Sequence, residues 1–235
     1  MTPYGEFCHI CISTPRNNRH HHRSVCFFPY TTPAFPLLGH ATPIHAHRIA
    51  IGKTGTASSH VTQHTIIFNS NNNTKNSSLQ AKMQWLQSHL PLLSQSHKII
   101  IFVASRATCD EIAQTLLNDN GNKRQQQQLS LAAIHGEKHQ SERTAAISQF
   151  KKGTVKILVA TDVAARGLDI NDVSVIINFD PAKNLDLHVH RVGRAGRMSR
   201  EDGEYREGLA YTLLAEENCD FASLLVESFE REGRI

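Results

Sequence analysis

The sequence predicts an α/β fold, a mainly parallel sheet with helices on both of its faces. Three observations lead there. Short runs that are apolar almost throughout recur at 98–104, 129–134, 155–160 and 173–178. Segments with helical spacing lie between them, and a polar stretch follows each run. A strand buried on both faces has to be apolar along its whole length, as in parallel sheets covered by helices. Crossovers through helices then order the elements.

The 235 residues suffice for one such domain plus extra material, or for two small domains. A hydrophobic fraction of 40% permits a packed core, and a net charge of +4 is a mild pointer to an acidic partner such as nucleic acid. No stretch is apolar for long enough to span a membrane. The first residues lack a basic start followed by an apolar run, so no secretory leader is expected. Five irregularly spaced cysteines fit a reducing, intracellular setting better than a disulfide framework. Cys8 and Cys11 have the spacing of zinc ligands, but no second clean pair accompanies them, so no metal site is assigned.

Residues 1–42 read as irregular, with prolines at 3, 15, 29, 33 and 36. Short strands are expected at 48–52 and 61–68, a low-complexity polar loop at 69–78, and a helix over 79–93 that Pro91 interrupts. After the strand at 98–104, Ser105 can cap a helix whose apolar face is Cys109, Ile112, Ala113, Leu116 and Leu117. A polar insertion occupies 118–128. The strand at 129–134 is followed by a helix over 142–151 with Ala146, Ile147 and Phe150 on one face. The strands at 155–160 and 173–178 come next, then one at 208–214 and a closing helix over 216–232.

Ligands of parallel sheets sit at the carboxyl ends of the strands, so the loops after Ala104, Ile134, Ala160 and Asn178 are the ones to examine. Gln140 and Arg143 share a face at the start of a helix, where an arginine and a helix N-terminus can together meet a phosphate. An exposed arginine paired with a nearby acid is the plainer alternative. After Ala160 come Thr161, Asp162, Arg166, Gly167 and Asp169, dense polar chemistry among small residues. Here an Arg166–Asp162 pair that only shapes the loop is the alternative. Residues 190–197 place Arg191, Arg194 and Arg197 three apart, with Gly193 and Gly196 between them. Arginine's planar fork suits phosphate oxygens, and glycine permits close approach.

These loops, in this order and at these separations, resemble the C-terminal half of the DEAD-box RNA helicases. Residues 98–104 resemble the strand of their motif IV, and Gln140 with Arg143 the Q-x-x-R of motif IVa. Residues 160–170, A-T-D-V-A-A-R-G-L-D-I, match motif V, and residues 190–197 match the H-R-x-G-R-x-G-R of motif VI. The resemblance is strong over 98–214, weaker over 43–97 and absent before.

It implies a RecA-like three-layer domain over 98–235, with 43–97 as interdomain linker and start of that domain and 1–42 as an irregular or non-native arm. It implies that Arg194 and Arg197 are arginine fingers for the γ-phosphate of ATP and that Asp169 contacts the ribose. It implies that Gln140, Arg143 and Thr161 hold an RNA backbone irrespective of sequence. His190 and Arg191 would lie at the interdomain face, and Asp162, Arg166, Gly167, Gly193 and Gly196 would shape the loops. The tail at 210–214 and 220–222 resembles nuclear members more than cytoplasmic ones.

The other half of such an enzyme would carry a Walker A loop and a D-E-A-D box, and neither is present. Gly52-Lys53-Thr54 ends like a Walker loop, but its first glycine would fall on His47. ATP with Mg2+ is therefore expected on an N-terminal RecA-like domain acting in cis, and this chain, a monomer, is expected to be inactive alone. A truncated, non-enzymatic module that binds RNA or sequesters a partner is the alternative.

Overall fold

The computed structural model describes residues 9–13, 24–28, 47–50, 60–68, 75–119, 129–165, 170, 173–196 and 207–232. Two compact units divide the chain, Met1–Ser58 and Ser59–Ile235. In the first, β1 (His9–Ser13) pairs antiparallel with both β2 (Ser24–Phe28) and β3 (His47–Ala50). Strands β1 and β2 lie where the sequence reads as irregular. Each is only five residues long, and cross-strand partners stabilise such strands more than any pattern of their own. The side chains of Cys8, Cys11 and Cys26 lie outside the described residues.

The second unit is the parallel sheet. Its strands are β4 (Val61–Phe68), β5 (Ile99–Val103), β6 (Leu131–Ile134), β7 (Ile157–Thr161), β8 (Val175–Asn178) and β9 (Gly208–Ala215). They stand in the order β4-β9-β8-β5-β7-β6, every pair parallel. Every residue of β5, β7 and β8 is buried, as unbroken apolar runs require. The helices are α1 (Lys75–Ser96), α2 (Arg106–Asp119), α3 (Gln140–Lys152), α4 (Asp162–Ala165), α5 (Leu185–Val192) and α6 (Cys219–Glu232). Helices α1 and α2 pack Leu86, Leu90, Ile112 and Leu116 onto Ile99, Ile101, Val159 and Ile177. Other side chains of the sheet face α5 and α6: Leu214 packs with Phe221 and Leu225, and Phe102 lies under Arg191. The sheet thus has helices on both faces.

Helix α1 is longer than the sequence suggests and runs through Pro91. Proline removes one N–H from the ladder. The flanking turns hold because Leu86 and Leu90 are fully buried, and Ser88 Oγ adds a bond to the Trp85 carbonyl. Helix α3 ends at Gly153, whose φ of 79° makes it a left-handed cap that donates to the carbonyls of Gln149 and Phe150. The insertion read at 118–128 begins later, since α2 continues to Asp119. Helices α4 and α5 are further elements that periodicity alone does not reveal. Among the described residues, no helix is long and apolar enough to cross a membrane.

Leu90 and Leu92 sit on the same helix, fully buried and 72% exposed respectively. Leu90→Ala is expected to cost roughly 2–5 kcal/mol, and Leu92→Ala to stay within about 0.5 kcal/mol. Urea unfolding of the two variants checks this, because helix propensity changes equally in both.

Candidate functional site

Three of the four carboxyl-edge loops meet around one side chain. Arg191, on the last turn of α5, is only 2% exposed. Its Nε and Nη2 donate to the two carboxylate oxygens of Asp162 at 2.7 and 2.8 Å. Its Nη1 donates to the Asp180 carbonyl at 2.7 Å and to Asn178 Oδ1 at 3.3 Å. The guanidinium carbon lies 5.1 Å from the Phe102 ring centre. A planar fork can satisfy a carboxylate bidentately and still reach backbone, which a lysine cannot. Asp162 opens α4 directly after β7, so Arg191 ties α5 to the β7 loop and to the turn after β8. Asp162 is thus committed to Arg191; Arg166 lies outside the described residues.

The turn after β8 is held from two further sides. Asp180 Oδ2 accepts the Ala104 amide at 2.8 Å, joining the β5 loop. Lys82 Nζ, from α1, donates to the Phe179 carbonyl at 3.1 Å. Burial lowers the pKa of Lys82, and Asp180 and Glu217 oppose that shift. Asn178 is fully buried and donates to Thr212 Oγ1. Lys82, Asn178 and Asp180 are positioning residues absent from the sequence reading. The signal existed: Lys82 shares the stripe of Leu86 and Leu90 at a spacing of four, and Asn178 closes an apolar strand.

Gln140 and Arg143 come together at the start of α3. Arg143 Nη1 donates to Gln140 Oε1 at 3.1 Å, while the buried Arg143 Nε has no hydrogen-bond partner among the described residues. His139 at the N-cap makes no side-chain bond, so the first-turn amides are not capped. Thr161 ends β7, the strand beside β6, from which α3 follows. These three residues therefore share one corner of the sheet. Arg106 and Glu137 form an ion pair between the β5 and β6 loops.

The end of α5 is elsewhere. Helix α5 has eight residues, roughly 12 Å, and runs back against the strands. Ala195 bridges Val173, ahead of β8, and Gly196 packs against His60 and Val61 at the start of β4. Arg194 is thus carried away from the carboxyl edge of the sheet. Gly196 has a φ of 66°, and a Cβ there would meet Val61 Cγ2 at 2.5 Å. Internal packing, not approach of an anion, demands that glycine. A Cβ on Gly193 would meet the Val189 carbonyl at 3.1 Å, a milder constraint. His190 is half-buried beside Arg194, and burial followed by that cation takes its pKa down to about 4. Arg191 is enclosed within the domain, not presented at a face. Gly167, Asp169 and Arg197, like Arg166, lie outside the described residues.

His188, on the same helix, is 2% exposed and bonds Gln63 through Nε2 at 3.0 Å. Burial, then Arg191, lowers its pKa to about 4 from 6.5. Below pH 6.5 the unfolded chain binds a proton that the folded chain refuses, so stability falls as pH drops towards 4 and is complete above 6.5. From pH 7 to pH 5 His188 alone accounts for about 2 kcal/mol. Urea unfolding at both values is expected to show at least that loss, and His188→Gln to lose about that much less.

The chain matches the family model described as helicase conserved C-terminal domain over residues 81–199. It is 37% identical over 188 residues to DEAD-box ATP-dependent RNA helicase 24 of Arabidopsis thaliana, covering 80% of this chain and 22% of that one. It is 39% identical over 183 residues to ATP-dependent RNA helicase DDX42 of Gallus gallus, covering 78% and 17%. The chain therefore spans about a fifth of the length of these curated relatives. Among solved structures it is similar to the C-terminal domain of the DEAD-box protein Dbp5, with a TM-score of 0.57 and 25% identity over 74% of this chain and 87% of that one. Residues 190–196 fall inside the matched region, as do the Arg191–Asp162 tie and the Gln140–Arg143 pair; on the strength of this match the chain belongs to the DEAD-box RNA helicases and carries their conserved C-terminal, RecA-like helicase domain.

Proposed function

We propose that this chain is the second RecA-like half of an ATP-dependent RNA helicase and acts in cis with an N-terminal half that holds ATP and Mg2+. The observation that carries the proposal is the separate placement of two arginines, Arg143 at the start of α3 and Arg194 just beyond the end of α5. Gln140, Arg143 and Thr161 stand at the β6–β7 corner, suited to a backbone phosphate. Arg194 stands at the far end of α5, where it can meet a second ligand. The buried Arg191 holds both in one rigid frame.

In this reading Arg194 and Arg197 are catalytic and stabilise charge on the γ-phosphate across the interdomain cleft. Asp169 binds the ribose. Gln140, Arg143 and Thr161 grip RNA through its backbone and so without regard to sequence. His190, kept neutral near pH 7, lies beside Arg194 without adding positive charge there. Asp162, Gly193 and Gly196 shape the loops, together with Arg166 and Gly167. The two halves would close on bound ATP and RNA, and closure would bend one strand so that short duplexes come apart locally. The chain works as a monomer inside the cell, in the nucleus in preference to the cytoplasm. Magnesium is expected on the other half, where the D-E-A-D box would lie.

The test is a fusion of this chain to the ATP-binding half of a DEAD-box protein, because tethering supplies the effective concentration that weak docking lacks. RNA-stimulated phosphate release is expected from the fusion and not from this chain alone. Arg194→Ala is expected to lower it by roughly 10³-fold or more. A fusion no faster than its ATP-binding half would favour the truncated, non-enzymatic module.

A further inference from the structure

We propose that a groove between α6 and the edge strand β4 docks a basic amphipathic helix of a partner protein. Helix α6 has two working faces. Phe221, Leu225 and Ser228 are buried against the domain. Cys219, Ala222, Ser223, Val226 and Glu227 recur at i, i+3, i+4, i+7 and i+8 on another stripe, which turns to an open groove of 490 Å³. Ile67, Leu214 and Ala215, from the carboxyl ends of β4 and β9, form its floor.

In a three-layer fold this face of β4 should be covered by a helix. Among the described residues, α5 covers only its beginning, through the His188–Gln63 bond. Further along, Thr65 is exposed and Ile67 is 62% exposed, while Val226 opposite is 47% exposed. The uncovered stripe runs from Cys219 to Val226, roughly 11 Å, or two turns of a docked helix. A helix laid beside α6 would complete the layer.

Charge selects the occupant. Glu216 and Glu227 line the groove, and Glu217, Asp220 and Glu230 are exposed near them on the same segment. Arg231 is the basic residue in the last turn of α6. This acidic rim stands on a chain whose net charge is +4. It repels nucleic acid and attracts lysine and arginine flanking an apolar face. The groove also lies five strand positions from β6, roughly 24 Å, so its occupant and a ligand at the β6–β7 corner need not compete.

The probe is a short synthetic helix with leucines along one face and lysines on its flanks, labelled with fluorescein. The chain is kept whole, and alkylation of the exposed Cys219 is followed by mass spectrometry. Saturable binding is expected, with Cys219 protected several-fold. Ile67→Glu and Glu227→Lys, both at exposed positions, should each weaken binding roughly tenfold at unchanged melting temperature, as truncated anchors of small interfaces do. A peptide with glutamates replacing the lysines should not bind.

Three results would overturn the proposal. The first is peptide binding that leaves Cys219 unprotected or ignores both substitutions. The second is protection of Cys219 by single-stranded RNA, which makes the groove a nucleic-acid site. The third is sedimentation of the chain alone as a dimer that Ile67→Glu dissolves, which makes a second copy the occupant. None of these depends on ATP hydrolysis, so the outcome stands apart from the helicase reading.

Discussion

The arrangement of the domain depends on one buried cation. Arg191 sits where α5 leaves the sheet, and its five donors leave little choice about its neighbours. It takes both oxygens of Asp162, the Asp180 carbonyl and the amide oxygen of Asn178. An ionised side chain at 2% exposure would be costly without that set, and with it the charge is matched and the geometry is fixed. The β7 loop, the β8 turn and α5 consequently move as one body. Two more contacts extend it, from Asp180 to the Ala104 amide and from Lys82 to the Phe179 carbonyl. Four separate segments of chain are thus joined around one turn of backbone.

Rigidity at that point keeps two places of the domain in a fixed relation. The β6–β7 corner is shaped by local spacing, because Gln140 and Arg143 are neighbours on one helix. The end of α5 is shaped by close packing, because Gly196 fits against Val61 only without a side chain, and Gly208 against Gly196 likewise. Neither place would hold a fixed relation to the other if α5 could roll. Its Asn184 cap, bonding the Leu187 amide, and its buried His188 and Arg191 prevent this.

How much of this was legible in the sequence follows from the range of each interaction. The strands β5, β7 and β8 were readable because burial on both faces leaves no freedom in residue type. The Gln140–Arg143 pair was readable because its partners are three residues apart. Helix α5 was not, since eight residues give too little periodicity, although Asn184 and Asp186 at its start and His190 and Arg191 at its end are fitting terminal residues. The Arg191–Asp162 pair joins residues 29 apart, and nothing local distinguished Arg191 from Arg166 as partner. The return of α5 to the amino edge was also hidden, since it depends on packing against β4 and β9.

A double-mutant cycle on Asp162 and Arg191 measures the central constraint directly. Urea unfolding would be followed for Asp162→Ala, Arg191→Met and the pair, together with hydrogen exchange at the Ala195 amide, which donates to Val192. Each single change is expected to cost roughly 3–5 kcal/mol by stranding a buried charge, and the pair little more than either one. Protection at Ala195 should fall in all three. Additive losses, or an Ala195 amide as protected as in the parent chain, would contradict the account, because Arg191 would then be one buried group among many and not the tie that holds α5.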